Sequence, residues 1–239
     1  MVAALAALGA PATQAVRKLY DESSGDAFWR TRLVEALGRS GDTSLGPWLA
    51  RILGADPLSV SRVEAAFAMG RLGLHGEVAG LKALAASADP ERDRPVLLAV
   101  GYALARLGDP AGKPLITQHL VIPEDGSLRW DRIRPGIVAA GELRMGELRP
   151  RLEAAAAKAD PFVRREAIRA LAKLRDRAAI PALIDRLEDP LPGVRGEALA
   201  ALRSLTGFRY KETAEQWRRW WNQDTEHSPA TGESGIRPP

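Results

Sequence analysis

The chain contains no cysteine, which excludes disulfides and thiolate metal sites and leaves open whether its compartment is reducing or oxidising. Aromatic residues are only 5% of the 239 positions. Much of the 46% hydrophobic content is alanine, which suits closely packed helices rather than a large aromatic core. No run approaches the ~20 apolar residues of a membrane-spanning helix. The three histidines, His75, His119 and His227, form no His-Glu-x-x-His and no cluster at metal-ligand spacing. No metal, cofactor or catalytic residue is therefore expected. Lysine is scarce beside arginine, and with abundant alanine and glycine that bias reads as a GC-rich bacterial genome.

What the chain does have is a short unit repeated along most of its length. Its apolar anchors are Leu5, Leu37, Met69, Leu104, Ala140, Leu171 and Leu202, at spacings of 32, 32, 35, 36, 31 and 31. A proline stands ten residues after four anchors, at Pro47, Pro114, Pro150 and Pro181, and an aspartate five residues after three, at Asp42, Asp109 and Asp176. Asp-Pro pairs open the unit at Asp56-Pro57, Asp89-Pro90, Asp160-Pro161 and Asp189-Pro190. A period of this size means stacked supersecondary units.

Each marker has a physical reason. The aspartate of Asp-Pro accepts from free N–H groups at a helix start, where the following proline loses no hydrogen bond. The aspartate between two helices can cap the second in the same way, and the later proline fits that helix's first turn. Between the markers, Val163, Ala167, Ala170, Leu171 and Leu174, then Ile180, Leu183, Ile184 and Leu187, recur at helical spacing. Each unit therefore reads as a helical hairpin with one apolar side that must be buried on its neighbours. The expected fold is all-α, an α-solenoid of about seven stacked hairpins over residues 1–222, closed by a cap at 212–222 and followed by a disordered tail at 223–239.

These units resemble HEAT repeats, and their length is similar to that of the HEAT-like repeats of phycobilin lyases. The residues that carry the resemblance are Asp160-Pro161, Val163-Arg164, Glu166-Ala167, Ala170-Leu171 and Ala179-Ile180-Pro181-Ala182-Leu183. It covers roughly residues 3–222, strongest at 160–207 and weakest at 113–159. The signatures of tetratricopeptide and ankyrin repeats are absent. The resemblance implies second helices along a concave side that binds other proteins, and no particular reaction. The HEAT-repeat hydroxylases that act on deoxyhypusine need repeated His-Glu pairs, which this chain lacks. Alkylpurine DNA glycosylases of similar fold use Trp and Arg on a basic concave face, where this chain has Trp48 and Arg51.

Two stretches depart from the unit. Residues 121–136 hold a turn at Pro123-Glu124-Asp125-Gly126, then Trp130 among Arg129, Asp131, Arg132 and Arg134, and Pro135-Gly136 interrupts the expected first helix. This reads as a tolerated insertion with Trp130 packed beneath it, or as a functional loop presenting Trp130, Arg132 and Arg134. Near the end, Thr213 and Gln216 form a capping box, and Trp217, Trp220 and Trp221 share one helical face, which reads as the solenoid's cap. Gly108 to Pro114 is one residue short of a phosphate loop, has proline where magnesium needs Ser or Thr, and reads as a turn.

Residues 127–219 hold 20 Lys/Arg against 13 Asp/Glu, a net of +7, whereas residues 1–126 have a net of −1. The surplus reads as a solvated face of arginines alternating with acids. The expected function is a non-catalytic scaffold that binds a protein or peptide on its second helices. Trp48, Arg51, Gln118, His119, Arg151 and Asp185 are the contacts that register points away from the apolar stripe. Nucleic-acid binding of the glycosylase kind is the alternative, disfavoured because such a face would be more uniformly basic; a lyase- or chaperone-type subunit acting on a chromophore protein is another. The first residues lack the basic opening of a signal peptide and enter a repeat mid-helix. An open apolar face at Leu5 and Leu8 is therefore expected, covered by upstream chain, by self-association or by the partner. The chain is expected to be soluble, in the cytoplasm, or in the periplasm if a leader has been removed.

Overall fold

The computed structural model describes residues 9–23, 26–123, 129–158, 160–208 and 212–227. The anchor Leu5, the apolar face at Leu5 and Leu8, the turn at 124–126 and the tail beyond 227 lie outside the described residues. Among those described there are thirteen α-helices and no strand. Helix α1 (Gly9–Glu22) is followed by the hairpins α2 (Ala27–Leu37) with α3 (Gly46–Ala55), α4 (Ser59–Leu72) with α5 (Val78–Ser87), and α6 (Arg94–Arg106) with α7 (Gly112–His119). Then come α8 (Trp130–Glu142) with α9 (Arg149–Ala156), α10 (Pro161–Leu174) with α11 (Ile180–Asp185), and α12 (Pro192–Thr206) with α13 (Ala214–His227). The chain divides into two compact units, Met1–Val121 with Asp131–Ala139, and Ile122–Trp130 with Ala140–Pro239. Within each unit the architecture is the expected all-α stack of helical hairpins, the α-solenoid class.

The markers act as their chemistry requires. Asp160 accepts from the N–H groups of Phe162 and Val163 at 2.7 and 3.1 Å, Asp56 from Leu58 at 2.8 Å and Asp189 from Leu191 at 3.0 Å. Between the helices of a hairpin, Asp42, Asp109 and Asp176 accept from the N–H groups of Ser44, Ala111 and Ala178 at 3.0, 2.9 and 2.9 Å. Pro47, Pro150 and Pro181 occupy the first turns of α3, α9 and α11.

First helices approach closely because glycine faces alanine. A Cβ on Gly38 would stand 2.6 Å from that of Ala68, and one on Gly141 2.8 Å from the Cα of Ala170. These glycines follow an anchor by one residue and the alanines precede the next by one, so the alanine-rich composition is a seam between backbones.

A recurring ion pair joins successive hairpins. Arg30, Arg62 and Arg164, each seven residues before an anchor, pair with the aspartate at the start of the following first helix: Asp56, Asp93 at 3.2 Å and Asp189 at 2.7 Å. Arg62 and Arg164 also donate to carbonyls just ahead of their own helix, Leu53 at 2.8 Å and Lys158 at 3.0 Å. Burial opposes ionisation of all three aspartates. The Tyr20 hydroxyl for Asp56, the Arg92 guanidinium for Asp93 and the Arg164 guanidinium for Asp189 lead the hydrogen bonds that outweigh it and hold the carboxyls below the usual range.

The structure corrects one local expectation. Pro135-Gly136 does not interrupt the first helix; α8 runs through both. Gly136 lies where a Cβ would stand 2.9 Å from methyl groups of Leu120 and Leu98, so packing on α6 holds the helix despite the proline. At the other end, the Thr213 N–H donates to Gln216 Oε1 at 3.2 Å and the Gln216 N–H to Thr213 Oγ1 at 3.3 Å, the reciprocal capping box. Trp217 is fully buried beside Phe208, with Trp220 and Trp221 half-buried. Helix α13 continues to His227, past residue 222.

Candidate functional site

In the unit that contains α1 to α7, the second helices α3 and α5 leave an open groove of about 320 Å³ between them. Its floor is Leu53, Leu81 and Met69, all buried, and its walls include Gly54 and Gly80, both exposed. A Cβ at either glycine would meet nothing within 4 Å, so an occupant can approach the helix backbones. Glu77, from the turn His75–Glu77, supplies the carboxylate of this lining. Its Oε1 would lie 2.9 Å from a Cβ on Gly46, so glycine at the first position of α3 makes room for the carboxylate beside that helix's N-terminus. A negative charge is stabilised there by the free N–H groups and the helix dipole.

A smaller cavity of about 170 Å³ lies beside the junction of α1, α2 and α3, lined by Tyr20, Arg30, Arg51, Ile52 and Asp56 among others. The Tyr20 hydroxyl and the Arg30 guanidinium both donate to Oδ2 of Asp56, and that guanidinium lies over the Tyr20 ring with 4.1 Å to its centroid. Burial and then the Asp56 carboxylate push the Tyr20 phenol up to about 12. With the phenol neutral and the carboxylate matched by one guanidinium, this cluster is a structural tie.

The residues expected to contact a partner are placed differently from one another. Trp48, which register pointed outward, is 4% exposed and edge-on to Tyr20 at 5.2 Å, because α1 covers that side of α3. Arg51 lines the smaller cavity and faces Asp21 at 3.4 Å. Gln118 is exposed on α7. His119, the last residue of α7, is buried rather than presented; burial first and Arg94 second lower its pKa, against a smaller opposing effect of Glu91. In the other unit, Arg151 is half-buried on α9, and Asp185, exposed at the end of α11, accepts from Arg218 of the cap at 3.3 Å.

The insertion residues are tied down. Arg132 donates to the main-chain oxygen of Glu91, and Arg134 lies 3.3 Å from the buried carboxylate of Glu64, which also faces Arg71 at 3.8 Å. Trp130 is half-buried and tilted against Phe162, with ring centroids 6.4 Å apart. Among the described residues no group of three or more His, Asp or Glu side chains could hold a metal ion, and no helix is long and apolar enough to cross a membrane. Sequence reasoning missed the groove and the inter-hairpin pairs. For the pairs a signal existed: Arg30, Arg62, Arg164 and Arg195 each stand seven residues before an anchor.

Residues 137–224 match the family model described as HEAT repeats, so the resemblance read from the sequence is shown over that span. No curated protein matches the chain. A solved structure similar to it is that of human deoxyhypusine hydroxylase in complex with glycerol, at 20% identity over 87% of this chain and 89% of that one, with a TM-score of 0.41. That protein is an enzyme, so the expectation that this chain is not one is withdrawn: a stack of helical hairpins gives no ground for it. A likeness of this size carries no reaction across.

Proposed function

We propose that this chain, which carries HEAT repeats over residues 137–224, is a helical-repeat scaffold that binds a protein or peptide in the groove between α3 and α5. The observation that carries the reading is the groove itself, with an apolar floor, glycines in both walls and a carboxylate. A small polar metabolite is held by several convergent polar groups. Here Glu77 is the charged residue of the lining, and the rest is apolar or small. Such a lining suits the apolar face of a partner segment laid along it, with side chains entering at helical spacing and a Lys or Arg meeting Glu77.

Selection of a displayed random-peptide library on the whole protein tests this. The selected peptides are expected to share apolar residues at helical spacing next to a basic residue. Their affinity is expected to fall roughly tenfold or more in Gly80→Trp, which fills the groove, and the basic preference to disappear in Glu77→Gln. Gly80 faces open space, so the variant should fold, and circular dichroism checks that. Unchanged affinity in a folded Gly80→Trp protein overturns the reading.

A further inference from the structure

The five hairpins from α2–α3 to α10–α11 turn after the first helix through the left-handed region four residues past the anchor, and the α12–α13 hairpin does so at Gly207, five past it. At the first three of these positions the residue is glycine, Gly41, Gly73 and Gly108, with φ of 78°, 68° and 82°. At the next two it is Arg144, with φ 50°, and Arg175, with φ 56°. The backbone needs no side chain there, and glycine suits it better. Both arginines are nevertheless present and exposed, and neither guanidinium has a hydrogen bond or ion pair among the described residues.

The acids around them are mostly spent. Glu142 is 3.6 Å from Lys173, and Asp176 is 2.9 Å from Arg149 while also capping Ala178; Glu147 remains exposed on the turn after Arg144. The bridge from Glu142 to Lys173 pins the ends of α8 and α10 side by side. Arg144 and Arg175 each lie two residues further on, so the two turns present neighbouring free cations on one edge. They belong to the stretch 127–219 with its net charge of +7.

We infer that this edge is a docking surface for an acidic protein segment, whose carboxylates take one arginine each. The guanidinium's planar fork matches a carboxylate in two parallel hydrogen bonds. Nucleic acid is the lesser fit, since phosphate-backbone binding leans on many cations and these turns offer two. This surface is separate from the groove between α3 and α5, so Gly80→Trp leaves it intact.

The test uses the whole protein, a fluorescently labelled Asp/Glu-rich peptide, its Asn/Gln analogue, and a single-stranded DNA of equal charge, read by anisotropy. The acidic peptide is expected to bind, more weakly as salt rises, and its analogue not to bind. The double variant Arg144→Gly with Arg175→Gly is expected to lose roughly tenfold in affinity, with each single variant between. Glycine fits the backbone at both positions, so the variants fold. Arg219→Gln, an exposed arginine paired with Glu215 on the cap, should bind like the parent. Failure of the acidic peptide to bind, undiminished binding by the double variant, or tighter binding of the DNA overturns the inference.

Discussion

The two units build the same junction with different parts. In the unit holding α1 to α7, Asp56 takes donors from both Tyr20 and Arg30 and also caps α4 through Leu58. In the unit holding α9 to α13, Asp189 takes Arg164 as its side-chain donor among the described residues, through Nε at 2.7 Å and Nη2 at 3.0 Å, and caps α12 through Leu191. The turns differ in the opposite sense: glycine serves the first unit at 41, 73 and 108, whereas the second uses strained arginine at 144 and 175 and glycine only at its last turn, Gly207. A paired carboxylate at a junction and a left-handed residue in the turn recur in both units. The remaining side chains at those places are free to differ, and that is where each unit acquires properties of its own.

The largest expected effect breaks the junctions. Asp189→Ala leaves a buried guanidinium without its counter-charge, a loss of about 3–5 kcal/mol for such a pair. Asp56→Ala should cost more, because it also strands the Tyr20 hydroxyl, worth a further ~1–3 kcal/mol. Urea unfolding followed by circular dichroism checks the order. If Asp189→Ala is the more damaging, the tyrosine adds nothing to the first junction and the comparison fails.

A smaller effect separates the turns. Arg144→Gly and Arg175→Gly should each stabilise the protein by about 1 kcal/mol, by relieving a left-handed non-glycine residue. Gly73→Arg should cost a similar amount, and thermal melts of the three variants measure it. A loss of stability in the two arginine variants would mean that the cations serve the negative ends of α8 and α10 instead.

The smallest effect is a pH dependence confined to one unit. His119 is buried, faces Arg94 and Glu91, and has a lowered pKa. The stability it contributes is present above the unfolded value of ~6.5 and is lost as pH falls below it, because the unfolded chain then binds the proton more readily. Asp56, Asp93 and Asp189 are held low, so their contribution persists above ~3.9 and is lost only as pH falls through their folded values. Hydrogen exchange should show α7 loosening as pH falls below about 6.5 while α11 does not, with His119→Gln abolishing the difference and both units weakening below about pH 4. Equal loosening of α7 and α11 in the upper window sinks the assignment to His119.

Much of the fold was legible in the chain because its determinants are local. Asp42, Asp109 and Asp176 reach an N–H two residues away, the second-helix prolines need only a first turn, and Thr213 with Gln216 is a contact within one helical turn. The site was far less legible. Trp48 was assigned outward by register, and α1 covers it. Arg132 and Arg134 looked like the exposed cations of a loop, and they are anchored by Glu91 and Glu64 from other hairpins. Pro135 looked like a break, and packing of Gly136 on Leu98 and Leu120 carries the helix across it.

By itself the sequence determined the period, the helix boundaries marked by aspartate and proline, the capping box and the buried tryptophan of the cap, all of which follow from contacts within a few residues. Only the tertiary structure decided which side of each helix is covered, which arginines are paired across hairpins and which stand free, and that α3 and α5 leave a groove. Those outcomes depend on residues 25 positions or more apart meeting in space, and a periodic pattern states that such neighbours exist without stating which side chains they place against each other.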